Sequence, residues 1–213
     1  MVNNEQGTPH RPGVKRPLPS HSLLRWQADA WSQLDDIVGA HAAVAAATVG
    51  GRVATEQVIH AYAMLLSSHF QRFCRDLHSE AIEHVCAEVP TVWVQWMLRA
   101  RLIEGRKLDT GNPNPGNIGS DFKRFGLELW PSMVALDART PGQKLLLEQL
   151  NRWRNAIAHQ DFTSSGDLDL GAGRVDLRLA DVNAWRAACD QLATTMDAAV
   201  AAWLAGLAGR PAW

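Results

Sequence analysis

Arg154 and His159 stand in the segment LEQLNRWRNAIAHQDF (147–162), with Asn155 directly after the arginine. An imidazole titrates near neutrality, at about pH 6.5, and can give or take a proton there. A guanidinium presents a rigid fork of donors matched to phosphate or carboxylate oxygens. Together they could move protons beside an anionic centre. Another reading needs no chemistry: cations in the last turn of a helix complement the negative end of its dipole. Spacing does not choose between the two.

On a regular helix with Leu145 at zero, Leu146, Leu150, Trp153 and Ile157 gather near roughly 80° to 140°, one apolar stripe. Glu148, Arg152, Asn155 and His159 gather near roughly 280° to 340°, opposite that stripe, and Arg154 falls between the two at roughly 180°. His159 therefore does not read as a core histidine. Arg154 and His159 are separated by roughly 140° around the helix and about 7.5 Å along it. One straight helix does not readily aim both at one phosphate, so either its last turn unwinds or two copies share a cleft.

The elements that must hold these groups are helical. Ser20 or Ser22 can cap a helix from Leu23 that stops near Gly50-Gly51, and Thr55 caps a second that ends by Pro90. The second carries Val58, Tyr62, Leu65, Leu66, Phe70, Phe73 and Leu77 at helical spacing. Thr91–Ile103 predicts a third helix. Residues 105–117 are rich in Gly, Pro and Asn and predict a loop, followed by a short helix over Ser120–Leu129 and a further loop holding Pro131 and Pro141. The RNAIAH helix spans about 142–159, and 163–174 predict another loop. Val175–Leu179 is either a short strand or a lead-in. The last helix begins near Asp181, with Val182, Trp185, Cys189, Leu192, Met196, Val200, Trp203 and Leu207 as its seam. The fold class expected is all-α, a helical bundle with long antiparallel helices. Residues 1–19 read as a flexible arm and 20–210 as a single helical domain.

Charge and composition exclude several classes. Among 213 residues, 21 Lys and Arg balance 22 Asp and Glu, so binding to nucleic acid must use a local patch. Cys74, Cys86 and Cys189 form no paired motif, which disfavours a disulfide scaffold and suits a reducing cytosol. No secretory or membrane-spanning stretch is expected, and the protein is read as cytoplasmic. Cys74 and His78, four apart on a helix, lack the further ligands that zinc ordinarily takes. Neither a metal nor any other cofactor is expected.

Arg154-Asn155-Ala156-Ile157-Ala158-His159 resembles the R-x4–6-H signature of the HEPN superfamily, in which a small polar residue commonly follows the arginine. HAYAMLLSSHFQRFCRDLHSEAI (60–82) resembles the first long core helix of these proteins. GNPNPGNIGSDFKRFGLELW (111–130) resembles the linker that precedes this helix in the branch called RiboL-PSP-HEPN, and the long tail helix is similar too. The likeness covers roughly residues 50–208.

That resemblance implies a metal-independent endoribonuclease in a defence or toxin–antitoxin setting, with RNA as substrate and an antitoxin or activator as partner. It implies a homodimer whose two motifs face one cleft. His159 is then the acid/base, Arg154 stabilises charge on the phosphate, and Asn155 holds the ring or contacts phosphate. Arg152, Arg106 and Lys107 are candidate RNA contacts, and Trp130 and Trp153 could stack a base. Asp161 stands where some toxin members carry Tyr. The alternative is a HEPN dimer that binds RNA, a nucleotide or a partner protein without chemistry.

Overall fold

The computed structural model describes residues 18–47, 51–162, 168–170 and 176–213, and every regular element among them is a helix. Residues 1–17 of the expected arm, most of the loop expected over 163–174, and Val175 lie outside the described residues. The chain begins its first rod with α1 (His21–Arg25), passes through a π-helical turn (Trp26–Ala30) and continues as α2 (Trp31–Ala46). Ser20 caps it, its Oγ accepting from the Leu23 N–H at 3.0 Å. The longest helix, α3 (Gly51–Ala87), starts four residues before the expected cap at Thr55. It stops before Pro90, and α4 (Val92–Ile103) follows directly.

Residues 105–117 are not a loop throughout. They contain α5 (Lys107–Thr110) and the start of α6 (Pro115–Lys123). Pro115 occupies the first turn of α6, where its missing N–H leaves no bond unmade, and Asn114 Oδ1 accepts from the Asn117 N–H at 2.8 Å. Asp121 reaches from α6 to cap α5, accepting from the backbone N–H of Lys107 at 2.8 Å and of Leu108 at 2.9 Å. The expected single helix over Ser120–Leu129 is replaced by the end of α6 and the start of α7 (Leu129–Leu136), which takes Pro131 into its first turn. Two long helices complete the chain, α8 (Thr140–His159) and α9 (Leu179–Ala208).

One hydrophobic core draws on all the long elements: Trp26 and Leu34 from the first rod, Tyr62 and Phe70 from α3, Leu150 and Trp153 from α8, Trp185 and Met196 from α9. Cross-links between helices give their directions. The first rod runs antiparallel to α3, because Ser22 meets Glu80 and Arg25 meets Asp76. It also runs antiparallel to α9, because Trp26 bonds Asp190 and Asp35 pairs with Arg186. Helices α3 and α9 are parallel to each other: Tyr62 bonds Asn183 near one end, and Glu88 pairs with Arg210 just past the other. The α9 seam is buried from Val182 to Val200, then passes through Leu204, leaving Leu207 exposed.

His78 locks α3 to the short helices. It is fully buried, its Nε2–H donates to the Asp121 carbonyl at 3.0 Å, and Nδ1 faces the Arg106 guanidinium at 3.5 Å. Burial, reinforced by Arg106, lowers its pKa to about 4. The folded protein therefore keeps this imidazole neutral, while the unfolded chain binds a proton near pH 6.5. The stability present above pH 6.5 is lost as the pH falls toward 4. We expect urea unfolding to show a loss of about 3 kcal/mol from this group across that window. Asp197, whose pKa burial raises, works in the opposite direction, adding stability as the pH falls toward 3.8. His78→Gln should flatten the acid slope between pH 6.5 and 4; an unchanged slope would rule the assignment out.

Helix α4 leaves Val92, Trp93, Trp96 and Met97 exposed, with both indoles about two-thirds open to solvent. Among the described residues, no helix is long and apolar enough to cross a membrane. No group of three His, Cys, Asp or Glu residues there is placed to hold a metal.

Candidate functional site

The second half of α8 separates its faces as its periodicity predicts. Leu147, Leu150, Trp153, Ala156 and Ile157 are buried, whereas Arg152, Asn155 and His159 are exposed and Arg154 is half-buried. The helix remains regular through His159 and then stops abruptly. Gln160 adopts a left-handed conformation, φ 53° and ψ 33°, the one positive φ outside glycine among the described residues. Its N–H donates to the Ile157 carbonyl at 3.3 Å and the Asp161 N–H to the Ala156 carbonyl at 3.0 Å, a Schellman closure. No unwinding of the last turn brings Arg154 and His159 together.

Asn155 is a junction. Its Oδ1 accepts from the Asn112 side-chain amide and from Arg154 Nη1, the latter at 3.4 Å. Asn112 belongs to the segment between α5 and α6, and that segment is docked at several points. Asn151 Nδ2 donates to the Pro113 carbonyl at 3.1 Å, Trp130 Nε1 to the Pro115 carbonyl at 2.9 Å, and Gln71 Nε2 to the carbonyls of Leu108 and Gly111 at 2.7 and 2.9 Å. Asn117 Nδ2 closes on the Asn112 carbonyl at 2.8 Å. The linker thus delivers an amide to the side of α8 that carries the motif.

The other candidates separate. Arg152 is exposed and makes no ion pair among the described residues, so it adds a cation to the polar face of α8. Lys107 is also exposed, at the first turn of α5. Arg106 is not a surface contact. It is buried, with Asp109 accepting from its Nε and Nη2 at 3.1 Å each, and Ser79 Oγ and the Arg75 carbonyl accepting from Nη1 at 2.8 and 3.3 Å. Its donors are engaged inside the fold, and phosphate steering is not its role. Trp130 and Trp153 do not stand free to stack either. Trp130 is held by Pro115 and crowds Gly119, where an added Cβ would lie 2.9 Å from the indole nitrogen. Trp153 is 2% exposed.

On the far flank of α8 lies a cleft of about 440 Å³, bounded by the start of α3 and by the chain following α8. Arg52, Glu56 and His60 line it from α3; Trp153, Phe162 and Leu177 line it from the other side. His60 and Phe162 stack with ring centroids 5.7 Å apart and planes 18° from parallel, and Trp153 adjoins Phe162 at 6.3 Å. Burial lowers the His60 pKa against the opposing pull of Glu56, so this ring is neutral near pH 7.

The chain matches no family model, no curated protein and no solved structure. What the site can do therefore rests on its groups. An exposed imidazole without a hydrogen-bond partner among the described residues can exchange protons with a ligand. A guanidinium steadied by Asn155 can bind an anion beside it. The sequence reading did not anticipate Asn112, His60 or Phe162. The only signal for Asn112 was its place in an Asn-Pro repeat, and His60 and Phe162 meet through the tertiary fold.

Proposed function

We propose that this chain is a HEPN-type, metal-independent endoribonuclease acting on single-stranded RNA. The observation that carries this reading is the solvent-facing RNAIAH end of α8, where Arg154, Asn155 and His159 are exposed or half-exposed and Arg154 is held by Asn155. In the reaction, the RNA 2′-oxygen attacks the adjacent phosphorus, its proton passes to a base, and the departing 5′-oxygen takes up a proton from an acid. His159 exchanges these protons, and Arg154 stabilises the charge that builds on the non-bridging oxygens.

Because α8 stays helical through His159, one copy holds the two groups on different sides of the rod. A symmetric dimer supplies the missing convergence, with Arg154 from one protomer and His159 from its partner meeting at one phosphate, and two imidazoles serving as base and acid. A defence or toxin–antitoxin role in the cytoplasm, with an antitoxin or activator as partner, is part of the same proposal.

Purified protein is expected to nick single-stranded RNA in the presence of a chelator and to leave a cyclic phosphate end. Light scattering at micromolar concentration is expected to give twice the chain mass. Cleavage that requires Mg²⁺, or a monomer that still cuts, would overturn the mechanism. The internal Asn112–Asn155 bond favours a second reading, in which the same face holds RNA, a nucleotide or a protein without cutting. Bacteria expressing the wild type but not the Arg154→Ala/His159→Ala pair should stop growing if the first reading holds.

A further inference from the structure

We propose that the cleft between α3 and the end of α8 receives a single unpaired nucleobase, stacked on Phe162. The strand form of this proposal rests on the RNA reading of the neighbouring motif. The cleft itself does not.

Three features define the occupant. First, the floor is aromatic and continuous: His60, 8% exposed, is stacked against Phe162, whereas Phe162 lines the cleft and remains 40% exposed. Any base can stack on such a ring, because every base has a π surface. Second, the rim is polar and of both signs. Glu56 can accept from the amino or imino N–H of a base edge, and Arg52, exposed and with no ion pair among the described residues, can meet a phosphate. An acyl chain would use neither group. Third, the cleft volume of about 440 Å³ lies within the range of small-molecule sites. The buried Trp153 indole N–H adds a donor without an acceptor among the described residues, in a side chain that lines the cleft.

Position connects the cleft to the motif. Trp153, in the cleft wall, immediately precedes Arg154, and Phe162 follows His159 by three residues, so the wall and the motif are neighbours along the chain. A strand whose phosphate rests on Arg154 can place the adjoining base there. The cleft then selects unpaired over duplexed RNA, since a paired base cannot leave its stack without cost.

The test uses the full chain carrying His159→Ala, so that RNA survives the measurement. A fluorescein-labelled single-stranded oligoribonucleotide, the same backbone without bases, and the four free mononucleotides are titrated. Adding Phe162→Leu should weaken oligoribonucleotide binding about 5- to 150-fold, the loss that removing one stacked aromatic produces. The base-free strand should bind both proteins equally. Phe162→Tyr, which keeps the ring, should restore the parental affinity.

Equal oligoribonucleotide binding by Phe162→Leu, an equal loss for the base-free strand, or a Tyr variant as weak as Leu would overturn the proposal. Phe162-dependent binding of mononucleotides alone assigns the cleft to a free nucleotide and discards its strand form. A wild-type chain that never cuts RNA, together with the Phe162 dependence, refutes the nuclease and retains the cleft. A chain that cuts but ignores Phe162 does the reverse.

Discussion

His159→Ala is expected to lower the rate of RNA cleavage by a factor of about 10² to 10⁴, the usual contribution of a positioned acid or base. The side chain is exposed at the end of α8, so removing it leaves no cavity and exposes no buried partner. The loss should therefore appear in the rate constant with the unfolding midpoint unchanged. Single-turnover cleavage of a labelled single-stranded RNA, read beside circular dichroism, separates the two. Arg154→Lys keeps the charge but not the fork, and should retain less activity than a point charge alone would predict. A residual rate within a few-fold of wild type for His159→Ala would remove the imidazole from the mechanism.

The second large effect is structural and lies at a distance from the motif. Asp121 is 1% exposed and accepts from the backbone N–H of Lys107 and of fully buried Leu108. Asp121→Ala strips two charge-assisted bonds and strands a buried donor, which should cost about 2 to 5 kcal/mol. Asp121→Asn keeps one acceptor oxygen and should cost less. The damage should spread to the site, because α5 leads directly into the segment carrying Asn112. Hydrogen exchange should accelerate over residues 107–117 before it does in α9. A loss below about 0.5 kcal/mol in urea unfolding would show that the cap is not what holds this segment.

The long helices were legible because their apolar residues repeat at three and four. The two faces of α8 follow that repeat residue by residue, with Trp153 and Ile157 inside and Asn155 and His159 outside. Local chemistry misled where a tertiary partner decides the outcome. Asn114 and Pro115 look like loop residues, yet together they start α6, and the cap of α5 comes from Asp121 on another element. Thr55 is a good cap in isolation, but α3 begins at Gly51. Arg106, directly before Lys107, looks like a solvated surface cation. Only the meeting of α3 with α5 shows that Ser79, Asp109 and the Arg75 carbonyl absorb its donors. Phe162 carried no signal at all, since its exposure and its stack on His60 both depend on how the chain turns after Gln160.

The open face of α4 has a spectroscopic consequence. Trp93 and Trp96 sit in water, while Trp26, Trp153 and Trp185 are sealed in the interior. Indole emission moves to longer wavelength in a polar surrounding, so the native protein already emits with a red-shifted component. Iodide, which cannot enter the interior, should quench that component selectively and leave a bluer spectrum from the enclosed rings.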